Sequence, residues 1–197
     1  MSNDGTNTGR RRFLTAATSA VAAAGAVGIA VPFIGSWNPS AKAKAAGAPV
    51  KFDAGKMEPG QLVRVEWRGQ PVFVIRRTQE QIDSLAGNDD DLKDPESIAS
   101  SQPSYVDGRN RAVKSEYLVL VGLCTHLGCS PKYIKKLDAA APDANWNGGF
   151  FCACHGSKFD MAGRVYKGVP ASENLVVPPY TYQTDSLMII GVDGENA

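Results

Sequence analysis

Two short stretches organise this chain: Cys124-Thr125-His126-Leu127-Gly128-Cys129, the first box, and Cys152-Ala153-Cys154-His155-Gly156-Ser157, the second box. All four cysteines and both histidines of the 197 residues lie inside them, a clustering that chance would rarely produce. Each box offers one thiol and one imidazole at close spacing, and each has one cysteine left over. The spaced pairs are Cys124 with His126 and Cys152 with His155, and the remaining cysteines are Cys129 and Cys154.

The mixture of side chains within each box indicates which metal it suits. Structural zinc sites commonly use four cysteines, or two cysteines from one half of the site and two histidines from the other. Here each half contributes one residue of each type. A 2Fe–2S cluster with two thiolates on one iron and two imidazoles on the other needs one Cys and one His from each box. We therefore favour such a cluster and keep a zinc-stabilised surface binding module as a remote alternative.

The two boxes closely resemble the paired motifs of Rieske proteins in cytochrome bc complexes. The resemblance implies one 2Fe–2S cluster as the cofactor. It implies that the four metal ligands are Cys124, His126, Cys152 and His155. It also implies a disulfide between Cys129 and Cys154 that ties the two cluster loops together.

The resemblance extends to residues around the cluster. In the family's second motif a serine and a tyrosine hydroxyl donate to cluster sulfurs, and such hydrogen bonds raise the potential. Ser157 matches the serine, whereas Phe159 stands at the tyrosine position and has no donor. Residues 168–174 resemble the family's Pro-rich cover loop, with one residue more and without its second proline. Leu127 is expected to shield the cluster edge.

The N-terminus predicts an exported and membrane-anchored protein. Three arginines, residues 10–12, precede an uncharged run over residues 13–34. As a helix that run would span about 33 Å, enough for a bilayer core of about 30 Å. The positive-inside rule places the arginines in the cytoplasm, and Arg10-Arg11-x-Phe13-Leu14 resembles a twin-arginine export signal. We predict a bacterial inner-membrane protein with one pass.

A cleaved signal peptide is the alternative for this segment. Ala41-Lys42-Ala43 and Ala43-Lys44-Ala45 are small-x-small sites of the general kind that signal peptidases use. The apolar run is longer than the apolar region of a typical signal peptide, about 7–15 residues, so we favour a retained anchor. The predicted organisation is therefore a cytoplasmic tail (1–12), a membrane helix (13–34), a flexible hinge linker (35–50) and a periplasmic head domain (51–197).

The sequence of the head domain predicts an all-β fold. A hairpin over residues 62–75, a buried strand at 117–121 leading to the first box and a strand at 149–151 leading to the second box are the clearest elements. We predict a Rieske-type antiparallel sandwich with the boxes as two loops at one tip, inside a cluster-binding subdomain at about 122–172. Further predicted strands lie at residues 165–166, 175–177, 180–182 and 187–190.

One helix interrupts the predicted strands of the head domain. Residues 78–85 predict a short helix with Thr78 as its cap and Gly87 ending it. An acidic loop follows at residues 88–105, and we interpret its Asp89-Asp90-Asp91 run as a solvated surface rather than a partner site.

The function follows from the resemblance, since composition is uninformative. A net charge of +1 gives no footprint for nucleic acid. The resemblance implies the subunit of a respiratory quinol–cytochrome c oxidoreductase that takes one electron, with a proton, from ubiquinol at cytochrome b. It passes the electron to a c-type cytochrome, contributing to the proton-motive force, within a dimeric complex embedded in membrane lipid. His155 would bind the quinol and accept its proton, and His126 would be the second exposed edge.

One rival belongs to the same chemical class. The Rieske small subunit of a periplasmic molybdenum oxidase, such as arsenite oxidase, shares the boxes and often a twin-arginine signal. The insertion at residues 78–105 favours the cytochrome bc type.

Overall fold

A computed structural model describes residue 5 and residues 7–194, and the chain divides into two compact units, residues 1–45 and 46–197. The first unit contains helix α1 (Thr8–Gly35), which is long and apolar enough to cross a membrane. The helix contains the whole predicted membrane segment, residues 13–34, and extends beyond it at both ends. The side chain of Asn7 caps the helix by accepting a hydrogen bond from the Arg10 backbone N–H at 3.1 Å. Residues 1–4 and 6 of the predicted tail lie outside the described residues.

The predicted hinge linker is not irregular throughout. It contains a short helix, α2 (Ala41–Ala46). The Ser40 hydroxyl oxygen caps it by accepting a hydrogen bond from the Ala43 N–H at 3.1 Å. Alanine and lysine are strong helix formers, so the composition that indicated a tether also favours this turn of helix.

The second unit confirms the antiparallel all-β prediction. Its described strands pair antiparallel in three small sheets, ordered β1-β9-β8, β2-β3-β4 and β5-β6-β7. The strands are β1 (Val50–Asp53), β2 (Leu62–Trp67), β3 (Gln70–Arg76), β4 (Tyr117–Val121), β5 (Lys132–Ile134), β6 (Gly149–Cys152), β7 (Ser157–Phe159), β8 (Tyr180–Tyr182) and β9 (Leu187–Ile190).

The predicted hairpin is strands β2 and β3, paired from Leu62 with Ile75 to Trp67 with Gln70. Arg68 and Gly69 form its turn with φ of 54° and 71°. Two consecutive positive φ values match the right-handed twist of hairpin strands. The hairpin that the sequence predicts over residues 62–75 is therefore confirmed.

The helix after this hairpin is shorter than predicted. Helix α3 (Gln79–Asp83) has the predicted Thr78 cap, completed as a capping box by the Gln81 side chain. A 3-10 helix (Ser84–Asp91) continues from it, so Gly87 lies inside this second helix and does not end the first. A further 3-10 helix, Ala54–Lys56, follows β1.

Two predicted strands are wrong. Residues 165–166 form only isolated bridges, Val165 with Phe159 and Tyr166 with Leu92. Residues 175–177 are irregular: Leu175 donates its N–H to the Gly163 carbonyl at 2.8 Å. Both segments are rich in β-branched and aromatic residues, but that composition reflects burial, which a packed loop supplies equally well.

The core links the box-bearing strands to the first hairpin. Phe73 of β3 and Phe150 of β6 are fully buried and stack with ring centroids 5.9 Å apart. Cys124 and Cys152 belong to the same buried cluster. The two boxes are therefore anchored to the core at their first residues.

Candidate metal centre

A strand packed in the core leads into each box: Cys124 follows β4, and Cys152 is the last residue of β6. All five residues of β4 are buried, and the first box begins three residues after it. The second box is the turn between β6 and β7, with Cys152 paired to Ser157. The predicted delivery of both boxes by strands is confirmed.

The two boxes share one loop geometry. The N–H of Gly128 donates to the Cys124 carbonyl at 2.8 Å, and the N–H of Gly156 donates to the Cys152 carbonyl at 2.9 Å. These glycines have φ of 79° and 77°, a region that side chains with a Cβ rarely adopt. The sequence signal for this match is a glycine four residues after the first cysteine of each box, which our sequence analysis did not use.

Two thiols lie buried against each other at the base of the loops. Cys124 and Cys152 are free, and their residues are 3% and 2% exposed. Burial raises the pKa of the Cys152 thiol, and the neighbouring Cys124 thiol, which is hydrogen-bonded to it, raises that pKa further. Coordination to a metal cation deprotonates a thiol outright. The pair therefore suits a site in which a cation binds both sulfurs.

The two imidazoles meet beside each other. The ring centroids of His126 and His155 are 4.7 Å apart, with the ring planes at 90°. His155 is exposed, while His126 is half-buried. The boxes therefore contribute two buried sulfur donors and two nitrogen donors that are more exposed. This set fits a cluster in which one iron binds sulfur ligands and the other binds nitrogen ligands.

The remaining two cysteines form the predicted disulfide, Cys129–Cys154. Their sulfurs lie with that of Cys152 within 4.8 Å of one another. These three sulfurs are not a ligand set, because two of them are bonded to each other and a metal binds the thiolate. The bridge instead ties one box to the other.

The cover loop, residues 168–174, contacts both boxes. Its Ala171 is fully buried and donates its N–H to the Ser157 hydroxyl oxygen at 3.0 Å. The Thr125 hydroxyl donates to the Glu173 carbonyl at 2.6 Å. The longer loop with one proline fewer therefore still makes a direct hydrogen bond to each box.

Two predicted site residues differ in their exposure. Phe159 is fully buried, and alternation along β7 places it on the same face as Ser157. Leu127 is 71% exposed at the apex of the first box. An apolar side chain so exposed, next in sequence to His126, is available to a partner surface.

Sequence reasoning missed a buried charge cluster directly after β7. Asp160 and Arg164 are both fully buried and form an ion pair at 2.7 Å. Arg77 donates to the Met161 carbonyl at 3.2 Å, and Arg111 donates to the Ala162 carbonyl at 3.3 Å. Burial lowers the pKa of both arginines to about 10, which leaves them charged at neutral pH. Buried arginines therefore hold the turn after β7 in place through these bonds.

Family comparisons agree with this geometry. Residues 49–181 match the model described as "Rieske [2Fe-2S] domain", and residues 1–40 match "Ubiquitinol-cytochrome C reductase Fe-S subunit TAT signal". The second match confirms the twin-arginine prediction. Helix α1 lies within its range, and the subunit is anchored to the membrane through this helix.

Full-length relatives extend the comparison. The "Ubiquinol-cytochrome c reductase iron-sulfur subunit" of Allochromatium vinosum is 51% identical over 100% of this chain and 95% of its own length. The subunits of the same name from Blastochloris viridis and Bradyrhizobium diazoefficiens are each 42% identical, over 96% and 92% of this chain and 97% and 94% of their own lengths. The chain therefore belongs to the Rieske iron–sulfur subunits of ubiquinol–cytochrome c reductase, the cytochrome bc1 complex, in which it serves electron transfer.

Proposed function

We propose that this chain holds one 2Fe–2S cluster and carries electrons from ubiquinol at cytochrome b to a c-type cytochrome. The proposed ligands are Cys124, His126, Cys152 and His155. The observation that carries the proposal is the meeting of two buried free thiols and two adjacent imidazoles on matching loops. The bound cluster supplies one-electron chemistry at roughly −150 to +300 mV, against about −400 mV for plant-type ferredoxins.

The exposed tip supports a role for His155 toward the quinol. An imidazole has two ring nitrogens, so a histidine that binds iron through one of them keeps the other for a hydrogen bond. We propose that the free nitrogen of His155 binds a quinol hydroxyl and accepts its proton, with His126 as the second edge. The exposed side chain of Leu127 would exclude water when a partner surface docks on the first box. The subunit then takes up one electron and one proton, out of the two electrons and two protons that a quinol loses on full oxidation.

The topology that we propose places the N-terminus in the cytoplasm and the head domain in the periplasm of a bacterium. The arginines at residues 10–12 lie at the start of α1, and the positive-inside rule assigns them to the cytoplasmic side. The subunit would then contact membrane lipid along α1, with residues 35–50 as a hinge. We propose that the complex is a dimer.

Ser157 provides the first test of the cluster's surroundings. Its hydroxyl oxygen already accepts a hydrogen bond from Ala171 at 3.0 Å, so its single hydrogen remains available to a cluster sulfur. One hydrogen bond is worth about 0.5–1.5 kcal/mol net, which is roughly 20–65 mV for one electron. We expect Ser157→Ala to lower the midpoint potential by that amount in a redox titration.

Phe159 provides the opposite test. Phe159→Tyr adds a hydroxyl on the face that carries Ser157, and we expect it to raise the potential by a similar amount, about 20–65 mV. It should speed quinol oxidation only if that step limits turnover. An unchanged potential in both the Ser157 and the Phe159 variants would contradict the proposed cluster position.

Co-purification tests the function itself. We expect the tagged full-length chain, extracted in mild detergent, to bring down cytochromes b and c and to give quinol-dependent cytochrome c reduction. A reduced-minus-oxidised spectrum of the same sample distinguishes an iron–sulfur cluster from zinc. Recovery with a molybdenum enzyme in place of the cytochromes would instead support the oxidase alternative.

A further inference from the structure

A lysine, Lys93, joins the insertion at residues 78–105 to the cover loop. The Lys93 ammonium donates to the Val169 carbonyl at 2.8 Å and to the Ala171 carbonyl at 2.6 Å. These partners lie 76 and 78 residues further along the chain. Lys93 also donates its backbone N–H to the Val165 carbonyl at 3.0 Å. Its side chain therefore binds the cover loop, and its main chain binds the segment just before that loop.

The Val169 and Ala171 carbonyls lie on either side of the peptide group that donates a hydrogen bond to Ser157. Between Val169 and Ala171 lies Pro170, and the peptide N–H of Ala171 donates to the Ser157 oxygen at 3.0 Å. With a carbonyl held on each side, this peptide group has little freedom to rotate. The Ser157 hydroxyl that accepts from it is thereby oriented, and its own hydrogen is directed away from Ala171.

The far end of the cover loop is held independently of Lys93. The Asn174 side-chain amide donates to the Asp94 carbonyl and to the Ser97 hydroxyl, both at 2.9 Å. Its amide oxygen accepts the Val165 N–H at 2.8 Å. Because these bonds remain when Lys93 is replaced, the loop should stay attached while residues 169–171 loosen.

We propose that Lys93 is a positioning residue for the cluster: it fixes the Ala171 peptide that orients the Ser157 hydroxyl toward the cluster sulfur. This inference rests on the proposed ligand set. The insertion then helps to set the redox potential, although Lys93 itself is exposed and lies outside both boxes. A lysine that only covered the surface would influence neither Ser157 nor the potential.

Lys167 offers a matched control. Its ammonium donates to the Asp90 carbonyl at 2.7 Å, so it too joins the insertion to the segment after β7. It makes none of the hydrogen bonds to residues 169–171 described above. Lys167→Met therefore removes an equal charge and a similar bond from the same junction without releasing Ala171.

The experiment compares Lys93→Met, Lys93→Arg and Lys167→Met in the full-length protein by redox titration of the cluster and by hydrogen exchange of residues 168–174. We expect Lys93→Met to reduce the ratio of reduced to oxidised cluster at a fixed solution potential by about two- to tenfold, the value of one hydrogen bond. Exchange in the loop should quicken. Lys93→Arg and Lys167→Met should stay near wild type in both measurements.

The possible outcomes separate failure of the positioning role from failure of the proposed cluster site. A wild-type potential in Lys93→Met, or an equal fall in Lys167→Met, overturns the positioning role, the second because charge alone would explain it. If Lys93→Met does not fold, Lys93→Gln, which keeps one donor without the charge, must show the faster exchange. If the wild type lacks a Rieske spectrum, or Ser157→Ala leaves the potential unchanged, the proposed ligand set or hydroxyl fails instead.

Discussion

Replacing any one of the four proposed ligands should abolish the Rieske signal. The variants are Cys124→Ser, Cys152→Ser, His126→Ala and His155→Ala. We expect cluster content, measured by iron and sulfide analysis and by EPR of the reduced protein, to fall by more than about 100-fold. Loss of a partner that merely supports a ligand costs about 10–100-fold, and loss of a ligand removes a metal bond itself.

The disulfide cysteines are the matched control for this loss. Cys129→Ser and Cys154→Ser break the bridge between the boxes but leave every proposed ligand in place. A disulfide typically contributes about 2–4 kcal/mol, so these variants should retain a cluster that is lost at lower temperature and has a lower potential. Abolition of the signal in Cys129→Ser together with a normal cluster in Cys124→Ser would overturn the assignment.

Asp160→Asn should strongly destabilise the head domain. The Asp160 carboxylate binds Arg164 in a fully buried pair and accepts the Ala162 and Arg164 backbone N–H groups at 2.9 Å. Removing its charge leaves Asp89 as the carboxylate that pairs with Arg164. The positive charges of Arg77 and Arg111 stay buried nearby. Breaking a buried pair costs about 3–5 kcal/mol. We expect thermal unfolding of the full-length protein to begin roughly 6–20 °C lower.

Glu116→Gln provides the comparison on the surface. Glu116 pairs with Arg76 at 2.6 Å, but the two side chains are 46% and 29% exposed. Exposed pairs contribute about 0–1 kcal/mol, so this variant should melt within about 4 °C of wild type. Equal melting temperatures for the Asp160 and Glu116 variants would show that the buried arginines do not depend on Asp160.

The parts of the molecule that the sequence predicted are those whose signals are local. The boxes concentrate residues with metal chemistry into two stretches, and the apolar run of residues 117–121 indicates a buried strand regardless of its partners. The Thr78 cap and the hairpin over residues 62–75 likewise depend on residues close together in the chain. Local chemistry was sufficient to place the proposed ligands at the ends of strands.

The parts that were missed depend on distant partners. Hydropathy places arginine outside, yet Arg111 and Arg164 are fully buried because carbonyls and carboxylates from far along the chain surround them. The Asp89-Asp90-Asp91 run was interpreted as solvated surface, but Asp89 binds Arg164 at 2.8 Å, 75 residues away. Lys93 likewise binds carbonyls that lie 76 and 78 residues further along the chain. No pattern within a short window of sequence contains these contacts.

Pulsed EPR of the reduced protein with ¹⁵N-labelled histidine tests the central claim most directly. The chain contains only two histidines, His126 and His155, so every histidine nitrogen bound to the cluster belongs to one of them. We expect two strongly coupled histidine nitrogens and a midpoint potential within roughly −150 to +300 mV. A spectrum with one coupled histidine nitrogen, or with none, would contradict it.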